Sequence, residues 1–166
     1  MDEMENKKKL NLGCGYDYRK GWLNVDNDKK KKADLYFNID KYPYPFKNGE
    51  FSHILASHIV EHLENPFRFM DEIKRILDKD GVLEVIVPHC TNIMAFDPQH
   101  RTYYSYKAMN HLSSDFEIKE IKLIFTPKYK FMELFAKKFP IFYENSPLRI
   151  FPAKEIRTLF RKKSLS

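Results

Sequence analysis

Several features that define whole classes of proteins are scarce or missing in this sequence. The only cysteines are Cys14 and Cys90, too few for a disulfide framework or a four-cysteine zinc site. No run of about 18 apolar residues occurs, so we expect no transmembrane helix. Residues 1–9 are charged and contain no apolar core segment, which speaks against a secretory signal in this stretch. Together these absences favour a cytoplasmic location.

The length and composition indicate one folded domain spanning residues 1–166. A chain of 166 residues is long enough for a single apolar core, and 43% hydrophobic with 31% charged residues is a globular balance. The net charge of +6 is uneven, since residues 117–166 carry 12 Lys and Arg against 5 Asp and Glu. This excess would suit an acidic or phosphate-bearing partner, although a Lys-rich solvated surface is the simpler explanation.

Short apolar segments followed by glycine or polar residues indicate a β-sheet in the first half of the chain. Five strands are predicted: Lys9–Leu12, Trp22–Val25, Leu35–Ile39, Phe51–Ala56 and Val82–Val87. A helix beginning at Asn65-Pro66 separates the last two, because Asn is a good N-cap and Pro suits the first helical turn. Strands alternating with helices or loops predict an α/β fold with a mainly parallel sheet.

The second half of the chain continues with longer and more aromatic segments. We predict a helix over Tyr106–Leu112, a strand over Phe116–Phe125, a helix over Lys128–Phe139 and a last strand over Glu155–Arg161. The helix over Lys128–Phe139 has Phe131, Phe135 and Phe139 at helical spacing, so we expect these rings to bury it against the sheet.

Glycine and polar residues follow the predicted strands at the point where each strand ends. They are Gly13, Cys14, Gly15, Asp26, Asp40, Ser57, His58 and His89. Ligands of parallel α/β sheets bind beyond the carboxyl ends of the strands, so these residues are expected to meet at one rim. This convergence predicts a binding site there.

The glycine turn and the acid after the next strand restrict the ligand. Gly13 and Gly15 would let a ligand approach the backbone closely, but Tyr18 replaces the third glycine of a dinucleotide-binding turn. The Gly-Lys-Ser/Thr of a P-loop is also missing. A carboxylate at Asp26 could accept hydrogen bonds from both hydroxyls of a ribose. The pattern favours a nucleoside ligand without a pyrophosphate.

An ordered set of motifs resembles the class I S-adenosylmethionine-dependent methyltransferases, over about residues 9–125. The matching segments are Leu10–Gly15, Gly21–Asp26, Tyr44–Phe51, Ser57–Leu63 and Asp80–Pro88. Asp97-Pro98-Gln99-His100 resembles an element of one subgroup, and similar sequences occur among small single-domain methyltransferases of polysaccharide assembly. The resemblance implies a Rossmann-like, doubly wound, mainly parallel seven-stranded sheet whose last strand is antiparallel.

The resemblance also implies S-adenosylmethionine as the cofactor and assigns residues to it. Gly13 and Gly15 would line the methionine part, Asp26 would bind the ribose hydroxyls, and Ser57 would lie under the sulfonium. Ile39 and Asp40 would flank the adenine. The complete cofactor-binding set is Gly13, Cys14, Gly15, Asp26, Asn27, Ile39, Asp40 and Ser57.

Two departures from the family pattern lie near the glycine turn. Asn11 stands where many members carry an acid, although its amide can still brace the turn by hydrogen bonding. The connection from Gly15 to Trp22 is too short for a full βαβ crossover, which needs about a dozen residues. The first helix is therefore expected to shrink to a turn or two. We expect a more open cofactor pocket on that side, covered by Tyr16, Tyr18 or Trp22.

The implied strand order also bears on the two cysteines. Cys14 and Cys90 would follow the first and fifth strands, two strand spacings or about 10 Å apart. A disulfide needs Cα atoms within about 7 Å, so both are expected to be free thiols.

Histidines near the rim are candidates for the proton transfer that some methyl acceptors need. His58 and His100 are the predicted catalytic residues, and His89 is a further candidate, because imidazole titrates near neutral pH. Positioning of the nucleophile without a base is the alternative. No Asn-Pro-Pro-Tyr type of sequence follows the fourth strand, which disfavours adenine-N6 methylation.

Two other functions fit parts of the sequence. Residues 58–62 have the H-x-x-E-H spacing, and on an α-helix His58 and His62 would share a face and could bind zinc. We disfavour a zinc hydrolase because the motif follows a strand end, and we assign no metal ligand. A nucleoside-binding subunit without catalytic activity is the second alternative.

The acceptor is predicted from residues 126–152, which are rich in aromatic and basic side chains. In the family this region commonly covers the acceptor, so we expect a substrate-covering insertion here. Such side chains would suit a sugar, a glycan or another small molecule. Peripheral membrane contact and RNA binding are alternatives, and nucleic acid is the less favoured partner.

Overall fold

Seven strands form a single sheet in a computed structural model that describes residues 8–112 and 115–163. The strands are β1 (Lys8–Leu12), β2 (Leu23–Asp26), β3 (Leu35–Tyr36), β4 (Phe51–Ser57), β5 (Leu77–Pro88), β6 (Phe116–Phe125) and β7 (Ala153–Lys162). Their order across the sheet is β3-β2-β1-β4-β5-β7-β6.

The strand directions confirm the predicted fold class. Neighbouring strands from β3 to β5 are parallel, and β7 runs antiparallel to both β5 and β6. Leu12 pairs with Ala56, and Ser57 with Ile86, so β1, β4 and β5 end close to the same edge. The chain builds the sheet outward in one direction from β1 and in the other from β4. A ligand crevice is expected at this reversal, beyond the carboxyl ends of the strands.

Within the described part of the chain, four α-helices connect the strands: α1 (Pro66–Ile76), α2 (Tyr106–His111), α3 (Met132–Lys138) and α4 (Pro140–Asn145). Short 3₁₀ turns cover Val60–His62, Ile93–Phe96, Pro127–Tyr129 and Pro147–Ile150. Helix α1 begins as predicted, because the Asn65 side chain accepts a hydrogen bond from the Arg68 N–H at 2.9 Å and Pro66 follows it. Among the described residues, no helix has the length and apolar character that crossing a bilayer requires.

The core lies between one face of the sheet and the apolar side of α1. Phe69, Ile73 and Ile76 of the helix are fully buried, as are Leu83 and Val85 of β5. Burying a side chain of this size contributes about 1.5–3 kcal/mol relative to leaving it exposed. The opposite face of the sheet carries half-exposed or exposed charged residues, among them Glu84, Lys122 and Arg157.

The connection between β1 and β2 contains no helix across residues 13–22, all of which the structure describes. Hydrogen bonds from buried side chains hold it instead. Asn24 Nδ2 donates to the carbonyls of Arg19 and Trp22, each at 2.9 Å, and Asn24 Oδ1 accepts from the Arg19 N–H at 2.8 Å. Asn11 Nδ2 donates to the Asp17 carbonyl at 2.7 Å, which confirms that this asparagine braces the turn.

Trp22 does not cover the side of this connection where the cofactor pocket is predicted. Its ring packs against His53 with a centroid distance of 4.9 Å, and Lys9 and Arg19 lie over it. His53 lies in the amino-terminal half of β4, away from the rim where the parallel strands end. Tyr16 and Tyr18 remain on the exposed surface, where Tyr18 donates a hydrogen bond to Asp34 at 2.8 Å.

The predicted helix over Lys128–Phe139 is wrong in its start and in its buried face. A 3₁₀ turn occupies Pro127–Tyr129, and α3 begins only at Met132. Met132 and Ala136 are buried, whereas Phe131 is 65% exposed. The buried pair and the predicted phenylalanines both repeat every four residues, but the two patterns are offset by one residue. An offset of one residue rotates the buried face of a helix by about 100°. The spacing therefore indicated the helix but not its inward side.

Two smaller predictions have mixed outcomes. Strand β3 ends at Tyr36, so Ile39 lies in the loop after it rather than in the strand. Cys14 and Cys90 are both free thiols, as expected from the strand order.

Candidate functional site

The turn after β1 forms one side of the candidate site. Gly13 and Gly15 have φ values of +62° and +51°, a region that favours glycine. A Cβ at Gly15 would meet no atom within 4 Å, so this backbone borders open space. A Cβ at Gly13 would lie 2.3 Å from Ile59 Cδ1, so the flexible end of that side chain occupies the approach to Gly13.

Asp26 closes the turn from the end of β2. Its Oδ2 accepts the Gly15 N–H at 2.7 Å, and its Oδ1 accepts the Asp28 N–H at 2.8 Å. Each carboxylate oxygen has a further lone pair that can accept a ligand hydroxyl. Asn27 is exposed beside it. The Cys14 side chain is buried, its thiol donates to the Lys32 carbonyl at 3.4 Å, and burial followed by the Asp26 charge raises its pKa.

Ile39, Asp40 and Ser57 complete the predicted cofactor set. Ile39 is buried, and its Cδ1 lies 3.7 Å from the position of a Cβ at Gly13. Asp40 Oδ1 accepts the Glu64 N–H at 3.1 Å, which ties the loop after β3 to the segment before α1. Ser57 ends β4 and is half-exposed.

His58 follows Ser57 with a φ of +54°, which turns its side chain between two carboxylates. Its Nε2 lies 3.6 Å from Glu155 Oε2, and its Nδ1 lies 3.4 Å from Glu61 Oε1. Glu155 and then Glu61 raise the pKa of His58 to about 9, against the opposing effect of burial. His58 in turn lowers the pKa of Glu155 to about 2, with further help from Arg157.

The H-x-x-E-H segment does not present its two histidines on one helix face. Residues 60–62 form a 3₁₀ turn, and His58 precedes it in the left-handed region. His62 lies beside His100 instead, with ring centroids 4.6 Å apart. His62 Nδ1 donates to the Gln99 carbonyl at 3.2 Å, and His100 Nδ1 donates to the Ala95 carbonyl at 2.9 Å.

The two predicted catalytic histidines line one pocket of about 240 Å³. Its polar lining comprises His58, Glu61, His62, Asn92, Asp97, His100 and Lys154. His89 has a different place, because it is fully buried and its ring nitrogens contact Thr91 Oγ1 at 2.7 Å and Glu144 Oε1 at 3.0 Å. These contacts assign His89 to holding α4 on the end of β5 rather than to an accessible base.

Sequence reasoning missed Glu155 as a site residue. It is nearly a hundred positions from His58 in the chain, and only the pairing of Glu155 with Pro88 across β7 and β5 brings it to the rim. No local motif marks it. Glu61 was within the H-x-x-E-H motif, but its complete burial becomes visible only in the fold.

Comparisons with known proteins agree with this geometry. Residues 6–85 match the family described as "Methyltransferase domain". A methyltransferase structure from Archaeoglobus fulgidus, described as dependent on S-adenosylmethionine (SAM), is similar at a TM-score of 0.68 and 13% identity, over 94% of this chain and 86% of that one. A putative methyltransferase of Haloferax volcanii, solved with its Trm112 activator, has a TM-score of 0.64 and 15% identity, over 95% and 83% of the two chains. No curated protein matches the sequence.

The same fold also occurs in a protein described as a [4+2]-cyclase, SpnF. Its TM-score is 0.67 at 16% identity, over 96% of this chain and 75% of that one. The family match over residues 6–85 and the shared fold agree with the resemblance to the class I S-adenosylmethionine-dependent methyltransferases. S-adenosylmethionine is the cofactor that this agreement supports.

The residues at the rim fit this cofactor on structural grounds. Open space faces Gly15, and Asp26 keeps acceptor capacity beyond its two backbone hydrogen bonds. Ile39 offers an apolar surface next to Gly13, and Asp40 has one carboxylate oxygen outside its hydrogen bond to Glu64.

Proposed function

We propose that this protein transfers a methyl group from S-adenosylmethionine to a small molecule or glycan bound in the pocket between His58 and His100. The observation that carries the proposal is the continuity of the rim. Ser57, the last cofactor residue of β4, directly precedes His58, which lines the acceptor pocket. A methyl donor and an acceptor bound to these two groups of residues would be neighbours.

The role of the proposed cofactor residues is to bind S-adenosylmethionine and to orient it. Gly13, Cys14 and Gly15 supply the turn, Asp26 with Asn27 takes the ribose, and Ile39 with Asp40 takes the adenine. Ser57 borders the reacting end. When bound, S-adenosylmethionine supplies a methyl group activated by its sulfonium charge. The chain's remaining task is to align the acceptor and, where needed, to take its proton.

His58 and His100 are proposed to contact the acceptor in different ways. A pKa of about 9 keeps His58 protonated at neutral pH, and both of its N–H groups face Glu155 and Glu61. His58 therefore supplies positive charge to the wall of the acceptor pocket rather than a base. His100 donates from Nδ1 to the Ala95 carbonyl, which leaves the lone pair on Nε2. His100 is therefore the proposed base of the pair.

Residues 126–152 do not line the pocket between His58 and His100, and they are proposed to cover an acceptor that extends beyond it, as part of one domain over residues 1–166. Glu144 of α4 contacts His89 and the Tyr106 N–H, which holds this segment at the carboxyl end of β5. Leu134 and Phe142 are 79% and 60% exposed, so apolar surface is available beside the lysines of the segment. Aromatic and basic groups together favour a sugar or glycan acceptor.

Two free cysteines accord with the reducing cytoplasm.

The cofactor part of the proposal is tested by thermal unfolding with S-adenosylhomocysteine (SAH). A ligand at 100 times its dissociation constant stabilises by about 2.7 kcal/mol, or roughly 5–10 °C for this length. We expect a saturable shift in the parent chain and in Asp71→Ala, an exposed acid on α1, but a much smaller one in Asp26→Ala. Asp26→Asn, which keeps one acceptor for the Gly15 N–H, separates binding from local unfolding. A folded parent chain without any shift at millimolar SAH contradicts the proposal.

The acceptor part is tested by methyl transfer from radiolabelled S-adenosylmethionine to a panel of monosaccharides, nucleotide sugars and short glycans. Incorporation that falls in His100→Ala supports the proposal. SpnF shares the fold and is described as a cyclase, so the fold alone does not imply methyl transfer. A nucleoside-binding subunit without catalytic activity is the second candidate. Cofactor binding without transfer to any saccharide, RNA or lipid-linked acceptor would favour that candidate.

A further inference from the structure

The Glu61 carboxylate is buried without adequate compensation. Its side chain is 1% exposed, and neither of its oxygens accepts a hydrogen bond. The cation beside it is the His58 imidazolium, whose Nδ1 lies 3.4 Å from Glu61 Oε1. His58 also faces Glu155, so one imidazolium stands between two buried carboxylates. Glu155 has Arg157 and Lys154 in addition, at 2.8 and 3.3 Å, and Glu61 has neither. An unpaired buried carboxylate is costly, which points to a further cation at Glu61.

Two imidazoles beside Glu61 are oriented to donate lone pairs. Backbone carbonyls can only accept hydrogen bonds, so the Nδ1 atoms of His62 and His100 both carry protons. In the neutral form of each ring, the lone pair is therefore on Nε2. Imidazole ligands of metals are held in the same way, with the second ring nitrogen donating to a carbonyl or carboxylate.

The donor atoms of these three side chains are close enough to serve one ion. One carboxylate oxygen of Glu61 and one ring nitrogen each of His62 and His100 all lie within 4.8 Å of one another. An ion that binds its ligands at about 2.1 Å holds them at most about 4.2 Å apart. Small side-chain rotations close that difference, because both histidines are only partly buried.

We propose that Glu61, His62 and His100 bind a divalent transition-metal cation on the wall of the acceptor pocket. Two imidazoles and one carboxylate suit Zn²⁺, Co²⁺ or Mn²⁺ better than Mg²⁺ or Ca²⁺, which prefer oxygen ligands. The set leaves coordination positions open toward the pocket, where an acceptor oxygen can bind. This departs from the expectation of no metal ligand, and it differs from the His58 and His62 pair of a zinc hydrolase.

The role of the ion rests on the proposed function, whereas its binding does not. If an acceptor oxygen binds the cation, His100 acts on the acceptor through the ion rather than directly. Methyl transfer would then depend on the metal, and the acceptor would carry oxygens that can ligate it, as vicinal hydroxyls of a sugar do.

The site is tested by titrating the full chain with Co²⁺ and recording its visible d–d absorption, followed by competition with Zn²⁺. We expect saturation at one equivalent and displacement by Zn²⁺. Glu61→Gln and His100→Ala should each weaken Co²⁺ binding at least tenfold. His111→Ala is the matched control, because it removes an exposed histidine at the end of α2. It should bind Co²⁺ like the parent.

Calorimetry with SAH on the same samples keeps the two proposals apart. SAH binding without saturable Co²⁺ binding overturns the metal site and leaves the proposed function intact. Co²⁺ binding that Glu61→Gln and His100→Ala do not weaken overturns the site as well. Metal binding without SAH binding would support the site while contradicting the proposed function. If Glu61→Gln does not fold, His100→Ala decides, because its ring is partly exposed.

Discussion

Asn11 donates from Nδ2 to Oδ1 of Asn24 across 3.1 Å, and both side chains are buried, at 1% and 0% exposure. The two residues lie side by side in β1 and β2. From there they reach into the connection that follows β1, where they bind the backbone of Asp17 and Arg19. Asp34 adds to the set by accepting the Asn24 N–H at 2.7 Å. This pair therefore holds the glycine turn after β1 and the connection that follows it, as a crossover helix does in a longer domain.

Replacing Asn24 by Ala is expected to destabilise the fold strongly. The change leaves the part-buried Arg19 N–H and Trp22 carbonyl without their side-chain partner. It also removes one hydrogen bond each from the Asn11 amide and the Arg19 carbonyl. Each unsatisfied buried group costs about 1–3 kcal/mol, so we expect a total near 3 kcal/mol, a melting decrease of roughly 6–12 °C. Urea unfolding without cofactor measures it. Asn27→Ala, at an exposed position, should unfold like the parent; equal stability of all three proteins would contradict this role.

The two glycines of the turn are expected to respond differently to alanine. Gly13→Ala combines a left-handed backbone, worth about 1–2 kcal/mol, with displacement of Ile59. Gly15→Ala has the backbone cost alone, but its methyl enters the open space proposed for the cofactor. We expect Gly13→Ala to have the lower melting temperature and Gly15→Ala to lose SAH affinity by about tenfold or more. Gly21→Ala, strained but outside the rim, is the control. Unchanged SAH affinity in Gly15→Ala would remove Gly15 from the site.

Glu72 is expected to contribute to the loss of stability at acidic pH, measured as the free energy of unfolding. Burial alone would raise the pKa of Glu72, but hydrogen bonds from Arg75 and from the Tyr44 N–H outweigh it, and the pKa is lowered. A depressed folded pKa stabilises above the unfolded value of about 4.5, and this stabilisation is lost as pH falls through the folded value. Glu72→Gln should therefore cost about 2 kcal/mol at pH 7, and the difference should shrink below about pH 4.

Urea unfolding of the parent and of Glu72→Gln between pH 3 and 7 checks this dependence. Glu64→Gln is the matched control, since Glu64 is exposed and lies 3.6 Å from Arg101. A surface pair of this kind contributes about 0–1 kcal/mol. A constant difference between parent and Glu72→Gln at all pH values would show that the lost contact is not ionic.

Helix α3 is expected to depend on Met132 rather than on its phenylalanines. Met132 is 5% exposed, so Met132→Ala should destabilise the fold by about 2–5 kcal/mol. Phe131 is 65% exposed and should cost less than about 1 kcal/mol when changed to alanine. Thermal unfolding of both variants makes the comparison. The opposite ranking would mean that the helix packs by its aromatic side, as the sequence spacing suggested.

Local patterns were enough to predict most of the sheet and the start of α1. Apolar runs followed by glycine or polar residues mark β1, β2, β4 and β5. Asn65-Pro66 marks the helix start, because these signals act within a few residues. The connection after β1 could be predicted to be short but not how it is held. Its bonds join Asn11, Asn24 and Asp34 through side-chain geometry, which leaves no periodicity in the sequence.

The site shows the same division between local and distant information. Gly15, Asp26 and Asp40 each follow a strand, so their common rim follows from the topology of a parallel sheet. Glu155 reaches His58 only through the antiparallel pairing of β7 with β5, and the burial of Glu61 depends on the packing of several elements. Ionic environments of this kind cannot be predicted from spacing.

The way the first connection is held also determines where this domain tolerates mutation. A helix is held by many backbone hydrogen bonds, and most side chains are compatible with them. Here the support depends on the identity of a few side chains, Asn24 above all. Random mutagenesis should therefore find a small number of intolerant positions between exposed and permissive ones such as Tyr16, which is 92% exposed. In this short connection, sensitivity to substitution is therefore concentrated at a few positions.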